Sequence, residues 1–102
     1  MKHSVNVIIS SKSSINGGVW KSEIYNPPNK KITLRSEKLP LSRYDLELDA
    51  LIMSLQDIGQ PSIVNVYSRS KTLSHKWKNA HVETRHILRL KVVRRKKRRY
   101  QR

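Results

Sequence analysis

One amphipathic helix with clear start and stop signals constrains the fold of this chain more than any other feature. Residues 42–45 (SRYD) have the S-x-x-D pattern of a capping box, in which a hydroxyl accepts a hydrogen bond from a backbone N–H in the first turn. Gly59 and Pro61 follow in the order that ends a helix. Between these signals, apolar residues recur at helical spacing, at Leu48, Leu51, Ile52, Leu55 and Ile58. The pattern predicts one main helix over residues 42–58.

Alternating segments before this helix predict three strands. The segments are residues 4–10 (SVNVIIS), 18–25 (GVWKSEIY) and 31–38 (KITLRSEK). A polar, glycine-ended stretch at 11–17 predicts a loop, and the sequence Asn-Pro-Pro-Asn at 26–29 predicts a turn. Short connections of this kind favour an antiparallel meander.

Two further strands are predicted after the helix, at residues 62–68 (SIVNVYS) and 86–93 (HILRLKVV). A short helix at 70–78, capped by Ser70, is expected between them. A strand–helix–strand connection favours a right-handed crossover to a parallel neighbour. The order βββαβαβ therefore predicts an α/β fold with a mixed five-stranded sheet and one main helix.

Positive charge is concentrated at the carboxyl end. The chain of 102 residues has 22 Lys and Arg against 7 Asp and Glu, a net charge of +15. Ten of the basic residues and no acid lie in residues 85–102. A block of like charge cannot fold into a core. We therefore predict a small α/β domain over residues 1–93 and a polybasic tail over residues 94–102.

A charge block of this kind predicts a polyanionic partner. Nucleic acid is favoured, because each neutralised phosphate releases condensed counterions. A membrane is disfavoured, because no segment approaches the roughly 18 apolar residues of a span. We expect RNA, specifically rRNA, as the partner, together with neighbouring ribosomal proteins and with no small-molecule substrate. The residues expected to contact RNA are Lys71, Lys76, Lys78, Arg89, Lys91, Arg94, Arg95, Lys96, Lys97, Arg98, Arg99, Tyr100 and Arg102.

Several of these residues have a second interpretation. The tail could be a solvated charge run or a localisation signal. Tyr100 could stack on a base or be incidental, and Trp77 could stack or belong to the core with its neighbouring lysines solvated. Trp20 is expected in the core. No cofactor or metal is expected, because the chain has no cysteine and the spacings of its four histidines match no ligand motif.

Three segments resemble the ribonuclease H-like family. Residues 44–55 (YDLELDALIMSL) resemble its first helix, with a glutamate followed by an alanine-containing apolar face. Residues 64–70 (VNVYSRS) resemble its apolar strand that ends in Thr-Asp-Ser, and residues 16–20 (NGGVW) resemble its early glycine pair. The resemblance covers about residues 4–93 and lacks the family's last helix. It implies a ribonuclease H-like sheet.

The resemblance also implies that the nuclease centre is degenerate. The family holds two magnesium ions with three or four carboxylates for phosphodiester hydrolysis. The first acid falls on Ser10, the helix glutamate on Glu47 and the acid after the fourth strand on Arg69, while the last acid has no counterpart. One carboxylate cannot hold two hard cations, so we expect no enzyme. For Glu47 we favour an exposed helix carboxylate beside Arg43.

These observations favour a non-catalytic RNA-binding component of a ribosome. Small size, high charge and a basic extension are typical of that class, and many Lys, Asn, Ile and Ser residues suit an AT-rich mitochondrial or plastid genome. The tail is expected to continue the fifth strand and to contact rRNA phosphates. A cytoplasmic ribonucleoprotein is the alternative location. Two alternative functions stay open: a metal-dependent nuclease that uses other acids, and a DNA-associated or anti-nuclease protein.

Overall fold

The computed structural model describes residues 3–26 and 30–93, which form a mixed five-stranded sheet and two helices. The elements are β1 (His3–Ser14), β2 (Gly17–Asn26), β3 (Lys30–Arg35), α1 (Arg43–Asp57), β4 (Ser62–Ser68), α2 (Leu73–Ala80) and β5 (Ile87–Val92). The sheet order is β3-β2-β1-β4-β5, with β1, β2 and β3 antiparallel and β4 parallel to both β1 and β5. The predicted α/β class with a mixed five-stranded sheet is confirmed. The predicted tail, residues 94–102, lies outside the described residues.

The core lies between one face of the sheet and α1. Alternate residues of β1 and β4 point into it, and α1 contributes the residues at helical spacing that face the sheet. Its fully buried members are Val5, Val7, Ile24, Leu46, Ala50, Leu51, Val64 and Val66. Each large apolar side chain buried in this way stabilises the fold by about 1.5–3 kcal/mol. Within the described ranges no helix covers the opposite face of the sheet, which we call the open face.

Helix α1 begins and ends where the sequence predicts. The backbone N–H of Asp45 donates to Oγ of Ser42 at 3.3 Å, which satisfies one of the unpaired donors of the first turn. At the other end, the N–H of Ile58 donates to the carbonyl of Ser54 at 3.2 Å before Gly59. Both predicted signals are confirmed.

Strand β1 is longer than the sequence predicts. The expected loop at 11–17 is wrong, because β1 continues to Ser14 and pairs there with Gly17 across a two-residue turn. The side chains of this extension are polar and show no apolar alternation, but the ladder of hydrogen bonds uses only the backbone. Gly17 adopts φ +109° at this turn, a conformation that glycine allows without strain.

Strand β3 is shorter than predicted and ends at Arg35. The chain then returns to β2, where Leu39 and Gly18 exchange backbone hydrogen bonds of 2.9 and 2.7 Å. The two segments approach closely here, because a Cβ on the neighbouring Gly17 would lie 2.2 Å from the carbonyl oxygen of Leu39. The Leu39 bridge therefore fixes the connection from the sheet to α1.

The second half of the fold also departs from the prediction in detail. Ser70 does not cap α2, which begins after Thr72; the Ser70 hydroxyl instead accepts from the N–H of Thr72 at 3.3 Å. Strand β5 ends at Val92, and the N–H of Val93 donates to the carbonyl of Ser68 at 2.8 Å. The last described residue therefore lies beside the end of β4. None of the described helices is long and apolar enough to cross a membrane.

Candidate functional site

A cleft of about 700 Å³ lies where β1 and β4 approach their carboxyl ends. In open α/β sheets this edge is the usual place for a ligand. The lining comes from all five strands or their ends and from the first half of α1. Its members are Ile8, Ile9, Ser10, Ser11, Lys12, Val19, Trp20, Lys21, Glu23, Arg35, Ser36, Arg43, Glu47, Tyr67, Ser68, Arg69 and Val93.

Glu47 lies at the inner wall of this cleft and is 2% exposed. The preferred interpretation of Glu47 as an exposed carboxylate beside Arg43 is therefore wrong. The helical repeat explains the difference, because position 47 shares its face with the buried residues Leu46, Ala50 and Leu51. Glu47 thus faces the sheet, where a carboxylate requires hydrogen-bond donors.

Two serine hydroxyls supply those donors. Ser11 Oγ on β1 donates to Oε2 of Glu47 at 2.9 Å, and Ser68 Oγ at the end of β4 donates to Oε1. Ser68 is itself held in place, because its Oγ accepts from the N–H of Ser70 at 3.0 Å. Both carboxylate oxygens of Glu47 are therefore engaged by the protein itself.

The register of β1 decides which serine meets Glu47. The resemblance matched the family's first acid with Ser10, but Ser10 is exposed on the open face and its neighbour Ser11 points toward α1. Arg69, the residue matched with a second acid, lines the cleft just beyond Ser68. Glu47 is thus bonded to hydroxyls, and the cleft that it borders also contains the guanidinium of Arg69.

Two of the other carboxylates of α1, Asp45 and Asp49, have separate partners. Asp49 accepts a hydrogen bond of 2.8 Å from the indole Nε1 of Trp20, and Asp45 is paired with Lys76 at 2.9 Å. In the part of the chain that the structure describes, no group of three or more His, Cys, Asp or Glu side chains could hold a metal ion.

The charged side chains that line the cleft are mainly basic. Five of its side chains are basic and two are acidic; the basic ones are Lys12, Lys21, Arg35, Arg43 and Arg69. Of the two acids, Glu47 is bonded to serines and Glu23 forms a salt bridge of 3.1 Å with Lys31. The hydrogen bond from Lys31 lowers the pKa of Glu23 below its ordinary value. A concave surface with this balance of charge attracts anions.

The predicted RNA-contacting residues fall on different surfaces. Arg89 and Lys91 are exposed on β5, on the open face, whereas Lys71 and Lys78 are exposed beside and on α2, on the α1 side of the sheet. The structure does not bring these two pairs together. The remaining predicted residues of the tail, Arg94, Arg95, Lys96, Lys97, Arg98, Arg99, Tyr100 and Arg102, lie outside the described residues.

Lys76 differs from its neighbours on α2 because it forms the salt bridge with Asp45. The hydrogen bond from Lys76 lowers the pKa of Asp45 below its ordinary value, and a second hydrogen bond from Ser42 acts in the same direction. This lysine therefore joins α2 to the first turn of α1.

The two tryptophans both contribute to packing. Trp20 is 5% exposed, which confirms the prediction that it belongs to the core. Trp77 is half-buried and packs against the edge of the core cluster.

Sequence reasoning missed most of the cleft. Ser11 and Lys12 were assigned to a loop, and the arrival of Arg35 and Arg43 at the same edge depends on how β3 returns to α1. The glycine pair at 17–18 was the signal that could have predicted this part of the cleft. A tight turn just before these glycines would extend β1 and fix the register of the β1–β2 hairpin.

Comparison with known proteins finds no family model that matches the chain and no curated protein similar to it.

Proposed function

We propose that this protein binds RNA without cleaving it, and that its fold is ribonuclease H-like with the nuclease centre lost. The observation that carries the proposal is the state of Glu47 in the cationic cleft. Its two oxygens accept hydrogen bonds from Ser11 and Ser68, and five basic side chains, Arg69 among them, line the same cleft. A two-metal centre needs several free carboxylates, whereas an excess of basic side chains favours an anion.

The topology supports the ribonuclease H-like part of the proposal. The elements follow the order βββαβαβ, with an antiparallel meander and then parallel crossovers. Glu47 on α1 and the end of β4 meet at one edge of the sheet. The resemblance implied that the helix glutamate and the residues after the fourth strand belong to one site.

The tail is the second part of the proposed RNA surface. Val93 lines the cleft, and the run of six basic residues begins at the next position in the sequence. The cations of the cleft therefore lie next to the point where the tail starts. An RNA backbone that neutralises the tail would also meet the cleft, and both would contribute through counterion release. Phosphate contacts position RNA without reading its sequence.

We further propose that the RNA is rRNA and that the protein is a structural component of a mitochondrial or plastid ribosome with protein neighbours. The support is the small size of the chain and its net charge of +15, much of it in one terminal segment. Co-sedimentation from native cells tests this part. We expect rRNA to accompany the protein at low salt and to separate from it at high salt, whereas co-purification with DNA would contradict the assignment.

The test of the whole proposal combines binding with cleavage. The purified chain is titrated into labelled single-stranded RNA, and the same preparation is incubated with an RNA–DNA hybrid and magnesium. We expect tight, salt-sensitive binding and an intact hybrid. Magnesium-dependent cleavage that Glu47→Gln abolishes would contradict the non-catalytic assignment, and failure to bind RNA at low salt would contradict the RNA-binding assignment.

A further inference from the structure

The open face of the sheet adjoins the cleft and has an unusual composition for a protein exterior. The two surfaces share Tyr67 and three basic residues, Lys12, Lys21 and Arg35. Residues of all five strands alternate outward onto it, and in the described residues nothing packs over it. Two exposed or half-exposed tyrosines lie there, Tyr25 on β2 and Tyr67 on β4. They flank the central strand β1, where their cross-strand partners are Asn6 and Ile8.

Each tyrosine has a lysine as its partner on the outer strand. Tyr25 pairs with Lys31 on β3, and Tyr67 pairs with Lys91 on β5. In both pairs the lysine Nζ lies 5.6 Å from the centre of the tyrosine ring. A cation–π contact at an exposed site is weak, so these lysines can turn to a phosphate when a base takes their place on the ring. The sheet thus presents two copies of one unit, an aromatic ring beside a cation.

Side-chain amides lie between the two units. Asn65 Nδ2 donates to Oδ1 of Asn6 at 3.1 Å, and the next residue across the sheet is Arg89. Amide and guanidinium groups of this kind form hydrogen bonds with the edges of unpaired bases.

The charge of the open face identifies the class of occupant. Six of its side chains are basic and one is acidic; the basic ones are Lys12, Lys21, Lys31, Arg35, Arg89 and Lys91. The acid, Glu23, forms a salt bridge with Lys31, so five basic side chains of this face have no acidic partner among the described residues. A second protein layer would have to bury these cations, which is costly without partners of opposite charge. A polyanion with flat apolar groups matches both the cations and the rings.

We propose that the open face binds single-stranded RNA by stacking unpaired bases on Tyr25 and Tyr67 while the flanking lysines contact phosphates. The inference rests on the proposed function, since it takes RNA as the ligand and adds the surface and the form of RNA that is recognised. Bare sheets with exposed aromatic rings stack two or three bases in known RNA-binding modules. Duplex RNA keeps its bases paired inside the helix, so the face discriminates against it.

The spacing of the rings suits more than one nucleotide. The two tyrosines are two strands apart and offset by two residues along β1. Regular sheet dimensions then separate their Cα atoms by about 12 Å. An extended strand that crosses β1 diagonally, over Asn6 and Ile8, can place separate bases on the two rings.

The test measures the affinity of the full chain for a 12-nucleotide oligouridine and for a 12-base-pair RNA duplex by fluorescence anisotropy. Tyr25→Leu and Tyr67→Leu keep an apolar side chain on each strand but remove the ring. We expect each to weaken single-strand binding at least about fivefold, the lower end of the effect of losing one base–aromatic stack. Duplex binding should stay within about twofold, because backbone contacts dominate it.

Three further variants make the result specific. Tyr44→Leu removes a tyrosine that is 45% exposed on α1, away from the open face, and should leave both affinities unchanged. Tyr25→Phe and Tyr67→Phe keep the rings and should bind oligouridine like the natural chain. Thermal melting of every variant checks that the sheet is intact.

Three outcomes would overturn the inference. They are unchanged oligouridine affinity in both leucine variants, an equal loss for oligouridine and duplex, or a dimer in light scattering that the leucine variants dissociate, which would make a second copy the occupant. If RNA binding persists with its salt dependence but the tyrosine variants have no effect, this inference alone fails. If the natural chain binds neither RNA, the proposed function fails as well.

Discussion

The hydroxyl of Ser68, at the end of β4, donates a hydrogen bond to the carboxylate of Glu47 on α1. Ser11 donates to the other oxygen at 2.9 Å, so one buried carboxylate ties α1 to two neighbouring strands. The carboxylate therefore accepts hydrogen bonds from the protein's own hydroxyls, and it stabilises the contact of α1 with β1 and β4 at the wall of the cleft.

We predict that Glu47→Ala lowers the free energy of unfolding by about 1–3 kcal/mol, because the hydroxyls of Ser11 and Ser68 lose their acceptor in a buried place. RNA affinity should not fall, since the substitution removes a negative charge from a cationic cleft. Urea denaturation and RNA titration measure the two effects. Asp57→Ala changes an exposed acid on the same helix and should alter stability little. A large loss of RNA affinity in Glu47→Ala, with stability preserved, would contradict the structural role.

A close approach of backbones at Gly18 predicts a second stability effect. A Cβ there would lie 2.3 Å from the Lys12 carbonyl oxygen and 2.7 Å from Leu46 Cδ1, so one of the neighbours must move. We expect Gly18→Ala to destabilise the fold by about 1–3 kcal/mol or more. Gly59→Ala is the matched control, because a Cβ there meets nothing within 4 Å. Equal melting temperatures for the two variants would show that β1 and β2 are not paired in this register.

The salt bridge between Lys76 and Asp45 gives a pH-dependent prediction. Because the pKa of Asp45 is lowered below its ordinary value of 3.8, the stability that it contributes is present above that pH and is lost as the pH falls through the lowered pKa. Both side chains are more than a third exposed, at 39% and 45%, so the pair is partly screened. We expect Lys76→Gln to remove about 0–1 kcal/mol at neutral pH. The stability difference between the natural chain and Lys76→Gln should vanish as acid protonates Asp45, and thermal melts between pH 7 and pH 2 measure this change.

The same variant also tests which lysine of α2 contacts RNA. Lys78→Gln, an equal change of charge at an exposed neighbour, should not affect stability. It should weaken RNA binding more than Lys76→Gln does. The reverse order of RNA affinities would contradict the assignment of Lys76 to a structural pair.

The cleft itself is tested by Arg69. We expect Arg69→Glu to weaken RNA binding. One lost phosphate contact makes the slope of log affinity against log salt shallower by about 0.7–0.9, and the substitution should change the slope by at least this amount. Arg85→Glu introduces the same charge change at an exposed residue outside the cleft and should have a smaller effect. If the two substitutions weaken binding equally, the effect is one of net charge, and the cleft has no special part in it.

The sequence predicted those features that depend on local chemistry. Ser42 and Gly59 predicted the ends of α1 correctly, and the alternation of residues 62–68 predicted the observed limits of β4. Helix caps and a two-residue period depend only on side chains that are close in sequence. The extension of β1 to Ser14 was missed, since its side chains are polar and only pairing with β2 makes it a strand.

The cleft and the open face were less predictable for the same reason. Which residue faces Glu47 depends on the register of β1, and one position separates Ser11 from Ser10. The burial of Glu47 depends on which face of α1 meets the sheet. The pairing of Tyr25 with Lys31 and of Tyr67 with Lys91 depends on the order of five strands that lie far apart in sequence.

We propose that the polybasic tail binds RNA phosphates and that the folded domain anchors the tail at the cleft. The most direct measurement is the salt dependence of RNA affinity for the full chain and for a chain that lacks residues 94–102. Seven basic residues are removed, so the log–log slope should fall by several units, at about 0.7 for each lost contact with single-stranded RNA. Affinity at low salt should fall sharply. An unchanged slope would contradict the claim and would assign RNA binding to the folded domain alone.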